Sequence, residues 1–206
     1  MIEGLTFDEA KHEYWANGRK VPGVTSILSM LDDFSGIPLA ILEKKSQIGK
    51  ATHTACEIIN NGDEVDRESL HPAVAPYVTA YLKFLAENPI QVVLAERKVS
   101  NERHWFAGTL DLVFKALERK AGLWDRDQLC LPDLKTVASL RPSTGPQTAG
   151  YRLALPDLGE PRTRIQRLAL QLKPDGNYHI EKYTNPDDEA CFLSCLNIYN
   201  WRMKNV

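Results

Sequence analysis

Two apolar stretches of this chain each hold a carboxylate in an unfavourable place. In Gly108-Thr109-Leu110-Asp111-Leu112-Val113-Phe114, Asp111 interrupts a run of strand-forming residues just after a glycine. The next such stretch, Leu129-Cys130-Leu131-Pro132-Asp133-Leu134-Lys135-Thr136, repeats the feature. Burying a carboxylate is costly unless a metal ion or a basic partner compensates it. Residues two apart on a strand point to the same face, so Asp133 and Lys135 point together. If the two strands are neighbours, Asp111 can face them. Two carboxylates and a lysine on one sheet face suit a hard, oxygen-preferring cation, with an ammonium ready to meet a phosphate or a water. The alternative is a set of structural ion pairs at a sheet edge.

A second feature is Gly49-Lys50-Ala51-Thr52-His53-Thr54-Ala55-Cys56-Glu57. On a helix, Gly49, His53 and Glu57 lie one turn apart and share a face. A glycine there allows another segment to approach closely. A histidine in a largely apolar helix is more often a core residue than a ligand, but nearby carboxylates would give this one a ligand's role.

The elements that must position these residues follow from hydrophobic periodicity. Leu5 to Val21 alternates and carries Asn17-Gly18, a hairpin signal. Pro22 to Ser26 reads as a turn opening a short helix. The spacing predicts helices over Pro38 to Asn60, closed by Asn61-Gly62, and over Pro72 to Glu87. The period then becomes two, giving strands over Ile90 to Val99, Trp105 to Ala116 and Gln128 to Thr136. A helix over Gln147 to Leu155 follows. A hairpin of Arg164 to Leu172 with Tyr178 to Tyr183 comes next, and then a last helix capped by Asn185 or Asp187 and running to about Met203. Leu140 to Pro146 is the least regular stretch and reads as a mobile loop that could face a substrate. This order implies an α/β fold with a mixed sheet flanked by helices. It reads as one domain over 1–206, with a hairpin and helices in 1–89, a sheet core in 90–184 and a terminal helix in 185–206.

Taken in order, Gly49…His53, Gly108-Thr109-x-Asp111, Asp133-x-Lys135 and Gln147-x-x-x-Tyr151 resemble the PD-(D/E)xK nuclease superfamily, and within it the RecB-type and phage-type exonucleases. The pattern covers about half of the chain. Asp111 matches the family's first aspartate and Asp133 its (D/E) position; the literal Pro132-Asp133 is not the motif's start. The resemblance implies a restriction-endonuclease-like core. It implies that His53, Asp111 and Asp133, helped by the Leu134 carbonyl, bind Mg²⁺ or Mn²⁺. Lys135 would orient or deprotonate the attacking water and stabilise charge on the phosphate. Glu96 would hold a metal-bound water or a second ion, with a plain surface carboxylate as the alternative. Gln147 and Tyr151 would contact DNA or brace the site. Some RecB-type nucleases carry an iron–sulfur cluster, held by one cysteine before the core and three after it. Here Cys56 and Cys130 lie inside the core and only Cys191 and Cys195 follow, so no cluster is expected and the thiols read as small hydrophobes.

Composition sets the outer limits. The chain has 206 residues, 43% hydrophobic and 25% charged, ordinary for a globular protein with a real core. No apolar run approaches the roughly 18 residues needed to span a bilayer, and the N-terminus shows no signal-peptide pattern. Four cysteines suggest no disulfide framework, so a cytoplasmic location in a bacterial or phage-infected cell is expected. A net charge of −2 argues against a protein that coats nucleic acid but leaves room for a local basic groove. Candidate groove residues are Lys44, Lys45, Lys50 and Arg97, then Lys98 and Arg103, then Arg162, Arg164 and Arg167. No phosphate-cradling Gly-x-x-x-x-Gly-Lys-Ser/Thr motif is present, which speaks against nucleotide hydrolysis. The expected activity is a metal-dependent DNA exonuclease in phage-type recombination or end processing. A single-strand annealing protein and a ring of identical subunits are conceivable partners. An endonuclease of the same fold, or a nuclease-fold protein that binds without cutting, is the alternative.

Overall fold

The computed structural model describes residues 1–205. A small antiparallel sheet comes first, of β1 (Thr6–Asp8), β2 (Glu13–Ala16) and β3 (Arg19–Val21). Asn17 and Gly18 both take positive φ in the β2–β3 turn, the backbone that a tight hairpin of right-twisted strands requires. Helices α1 (Val24–Leu28), α2 (Leu39–Asn60) and α3 (Ala75–Glu87) follow. The main sheet has the order β4 (Ile90–Asn101), β5 (Phe106–Ala116), β6 (Leu129–Lys135), β7 (Gln166–Leu172) and β8 (Tyr178–Tyr183). Its β6–β7 pair is parallel and the others are antiparallel, so the sheet is mixed. Between β6 and β7 lies α4 (Thr144–Ala154), and α5 (Asp187–Asn205) ends the described chain. No helix among the described residues is long and apolar enough to cross a membrane.

Two apolar clusters flank the main sheet. Leu112, Phe114, Cys130, Leu134, Leu168 and Leu170 pack with Ala80, Tyr81 and Phe84 of α3. Leu110, Val113, Leu131 and Ile165 pack with Ile27 of α1, Tyr151 and Ala154 of α4, and Phe192 of α5. Packing on both faces leaves β5, β6 and β7 almost wholly buried, whereas exposure alternates along much of β8 at the edge. The small sheet docks through Tyr14 and Val21 on Ala107, and the Ile2 amide donates to Ser100 Oγ at 2.8 Å.

Three expectations need correction. The stretch Leu140 to Pro146 is not all loop. Helix α4 begins at Thr144, three residues before the predicted start, and Thr144, Gly145 and Pro146 are buried in its first turn. Amides of a first turn lack helical partners, so Pro146 removes nothing. Likewise α3 begins at Ala75, because His71–Val74 forms a turn whose His71 carbonyl accepts the Val74 and Ala75 amides. Arg167 is not the free surface cation that a groove residue would be. It is 3% exposed, ion-paired with Asp188 at 2.8 Å, and donates to the carbonyls of Gly145 and Asn185. It thereby ties β7 to the starts of both α4 and α5.

The α4–α5 contact is close. A Cβ on Gly145 would lie 2.7 Å from the Asp188 carboxylate, and one on Gly150 would lie 2.6 Å from the Phe192 ring. An alanine in a helix interior is normally stabilising relative to glycine by about 1 kcal/mol. Here the fully buried Phe192 ring leaves no room. Gly150→Ala should therefore destabilise by about 1–3 kcal/mol, read as a lower urea midpoint with an unchanged slope. An increased midpoint would show that the two helices are not locked together.

Candidate active site

Asp111 sits where regular pairing lapses on both of its sides, for a single pair toward β4 and for the rest of the strand toward β6. Along β4–β5 the paired residues are Ala95 with Leu112 and Arg97 with Leu110, and the pairing skips Glu96 and Asp111 between them. An extra residue at Val93 shifts the β4 register just before this point, and Glu96 itself has φ +41°. Residues with a Cβ rarely adopt that region, and such strain concentrates at functional positions. On the other side, β5 and β6 pair only at Phe114–Cys130 and Lys115–Leu129. Continuing that register would set Asp111 opposite Asp133. Instead the Leu134 amide donates to Asp111 Oδ2 at 2.6 Å. A side chain thus replaces the backbone partner that a continuing ladder would have supplied.

Helix α2 brings His53 to this place. Its Nδ1 lies 3.1 Å from Asp111 Oδ1 and 3.6 Å from Glu96 Oε1. One ligating atom from each of His53, Glu96 and Asp111 falls within 4.8 Å of the others. That is close to the span of about 4 Å across a small hard cation. Asp133 and Lys135 stand beside this trio. The Lys135 ammonium is 2.6 Å from Asp133 Oδ2 and donates to Gln147 Oε1 at 2.9 Å. Gln147 Nε2 donates to Asp133 Oδ1 at 3.0 Å and approaches Tyr151 Oη at 3.3 Å.

The charge states follow from these contacts. Burial opposes the charged form of His53, but the Asp111 and Glu96 carboxylates outweigh it and raise its pKa well above the ordinary value. Burial likewise opposes ionisation of Asp111, yet His53, Lys135 and the Leu134 amide hold its pKa below the usual range. Glu96 is raised by burial against the pull of His53. Asp133 is pushed up to about 6 by burial, with Lys135 opposing. Without a metal, a proton on His53 is thus the cation that Asp111 and Glu96 share.

The residues present fit a hard divalent cation. The donor set is one imidazole and two carboxylates, and Asp133, ion-paired with Lys135 at 2.6 Å, stands beside it. The cleft around them has a volume of about 670 Å³. It is lined by five carboxylates, Glu9, Glu57, Glu96, Asp111 and Asp133, against only two lysines, Lys50 and Lys135. Such a balance calls for positive charge.

The candidate residues do not all converge. His53, Asp111, Asp133, Leu134, Lys135 and Glu96 all line the cleft. Glu96 is one of the three residues whose ligand atoms lie within 4.8 Å of one another. Tyr151 is 5% exposed and its ring lies against Gly108, where a Cβ would come within 2.7 Å of it. It nonetheless borders the same cleft, as does Gln147. Gln147, also buried, orients Lys135 and Asp133. Lys50 borders the cleft, Lys44 and Lys45 are exposed earlier on α2, and Arg97 lies beyond Glu96. Gly49 is close to Thr136, but a Cβ there would be 3.4 Å from Thr136 Oγ1, ordinary contact. Sequence reasoning misses the β1–β2 hairpin, whose Phe7, Glu9 and His12 line the cleft, and Tyr14, whose hydroxyl meets Thr109 Oγ1 at 2.8 Å. No periodic signal connects residues about a hundred positions apart.

Buried Cys56 and Cys130 have their thiol pKa raised by burial, Cys130 to about 12. Both are inert as nucleophiles in the folded protein. No protein-family model and no curated protein matches this chain.

The electrostatics predict how metal binding depends on pH. Ligation requires His53 without its proton and the carboxylates ionised. In the metal-free protein the His53 imidazolium stabilises the fold below about pH 6.5. That contribution is lost as pH rises through the raised native pKa. Metal therefore competes with a proton, and Mn²⁺ should raise the melting temperature more at pH 8 than at pH 6. His53→Ala should weaken apparent metal affinity about tenfold or more and flatten this dependence. An equal Mn²⁺ response at both pH values in the wild type would remove His53 from the ligand set.

Proposed function

We propose that this protein is a metal-dependent nuclease of the PD-(D/E)xK type, built on a restriction-endonuclease-like core, that hydrolyses phosphodiester bonds in DNA. The observation that carries this reading is the joint placement of Glu96, Asp111 and His53 as a ligating trio with Asp133 and Lys135 at its side. His53, Glu96 and Asp111, joined by Asp133 Oδ2, would hold Mg²⁺ or Mn²⁺. The ion, when bound, supplies polarisation of a phosphoryl oxygen and a lowered pKa for a coordinated water. Leu134 contributes through its backbone, since its amide fixes Asp111.

The chain's own groups supply the rest. Lys135 is held between Asp133 and Gln147, so its ammonium is aimed before a substrate arrives. A preoriented positive group next to a developing phosphate charge stabilises the transition state more than the ground state. Gln147, gripped by Asp133 and Tyr151, removes the rotational freedom that Lys135 would otherwise have.

Asp133→Ala and Lys135→Ala should each lower cutting of DNA by at least about a hundredfold. Only the former should weaken metal binding. Activity should disappear in EDTA and return with Mg²⁺ or Mn²⁺. Full turnover in excess EDTA, or near-native turnover of Lys135→Ala, contradicts the reading.

The reading extends to cutting from an end. Only phosphate contacts are proposed for this substrate, and these carry no sequence information. Selectivity must then come from geometry, such as admission of a strand terminus. Linear DNA should be degraded to small products while closed circles persist in the same tube. Circles cut as fast as linear molecules would make the protein an endonuclease.

A further inference from the structure

The small N-terminal sheet contributes nothing to the ligating trio, yet it forms part of the cleft wall. His12 lies exposed in the β1–β2 turn with φ +54°, a region that glycine enters freely and a residue with a Cβ enters at a cost. Its ring meets Phe7 edge-on at 5.1 Å, and the Phe7 ring in turn has Lys98 Nζ 5.6 Å from its centroid. His12 and Lys50 line the same cleft, and burial together with the Lys50 ammonium lowers the His12 pKa.

A second depression of about 440 Å³ adjoins the first. It is bounded by Ile2 and Leu5 of the N-terminal segment and by Arg97 and Lys98 of β4, and Glu96 borders both. Glu96 thus stands between the cluster of His53, Glu96 and Asp111 on one side and Arg97 and Lys98 at the edge of the small sheet on the other. Lys50, Arg97 and Lys98 have no carboxylate partner within 4.0 Å among the described residues. Three cations without such partners on these two depressions, one held over an aromatic ring beside a conformationally costly histidine, complement a chain of phosphates.

We infer that the small N-terminal sheet is a second jaw of the substrate groove. His12 and Lys50 grip one backbone phosphate of a nucleic-acid strand beside the metal cluster, and Arg97 and Lys98 grip phosphates farther along it. Phe7 acts as a positioning residue that holds His12 and Lys98. The inference rests on the nuclease reading and adds the path of the substrate to it.

The test is steady-state cutting of a single-stranded 20-nucleotide DNA with Mg²⁺ by the wild type, His12→Asn and Lys98→Ala. Asparagine tolerates the left-handed backbone at position 12, so the hairpin should be kept. Each substitution should raise KM at least about fivefold. Lys98→Ala should also make the dependence of log KM on log salt shallower, by roughly 0.7 for the one phosphate it no longer grips, whereas His12→Asn removes no charge and should leave that slope unchanged. Melting temperature and the Mg²⁺ concentration for half-activity should stay at wild-type values. Variants with wild-type KM and salt slope overturn the inference while leaving the nuclease reading intact. A KM that rises only together with a lower melting temperature or a displaced Mg²⁺ midpoint also overturns it, since the hairpin would then act structurally. A wild type that cuts no nucleic acid overturns both.

Discussion

The hydrogen bond from the Leu134 amide to the Asp111 carboxylate is the contact on which the site depends. Buried backbone amides are almost always paired, and leaving one unpaired costs about 1–3 kcal/mol. In most of this sheet a neighbouring strand meets that demand. At Leu134 a side chain meets it, which lets β5 and β6 part while their polar groups stay satisfied. The gap is what admits the Asp133 and Lys135 side chains to a common cleft. One carboxylate thus does two jobs: Oδ2 closes the sheet and Oδ1 faces His53. A carboxylate tied at one oxygen is already aimed at the other, so little side-chain entropy remains to be lost when a ligand arrives.

The surrounding packing maintains an arrangement that would not hold by itself. Asp111 is 8% exposed and Asp133 3%, and two such charges disfavour the folded state unless they are compensated. Glu96 adds a costly backbone angle. The apolar clusters on both sheet faces offset these terms. Arg167 then fixes the start of α4 against the start of α5, and this sets where Gln147 reaches the sheet. Rigid support behind a site that is itself under strain fits the general exchange of stability for function.

Much of the site is legible in the sequence because a misplaced charge stands out. Asp111, Asp133 and Lys135 interrupt apolar strands, and period-two reasoning puts the last two on one face. His53 is readable only as a helix position; its closeness to Asp111 and Glu96 depends on which strands lie near. Glu96 looks optional because the sequence shows neither the register shift at Val93 nor the positive φ that turns the carboxylate toward Asp111. Arg167 looks like a surface cation because its partner Asp188 sits in another element, and propensity reasoning has no access to such pairs. The start of α4 is misplaced for a local reason. Glycine and proline normally mark loops, but here Gly145 makes room for Asp188 and Pro146 occupies a turn whose amides need no helical partner. Alternation and Asn17-Gly18 suffice to read a hairpin near the N-terminus, yet its nearness to the cleft is a tertiary fact.

Charge explains how a protein of net −2 can take a polyanion on the proposed reading. The cleft's five carboxylates would repel phosphate if all were ionised and bare. A proton on His53 and a raised Asp133 pKa relieve part of that repulsion in the metal-free state. A divalent cation relieves more of it, and does so where a phosphoryl oxygen must approach. Substrate entry and the capacity to cut would then share one condition, since the ion that makes the cleft acceptable to a phosphate is the ion the chemistry requires. A cleft lined mainly by lysine and arginine would hold nucleic acid with or without metal. One lined by carboxylates makes binding conditional on it, and Lys50, Arg97 and Lys98, without carboxylate partners among the described residues, lie around the cluster of His53, Glu96 and Asp111 rather than in it.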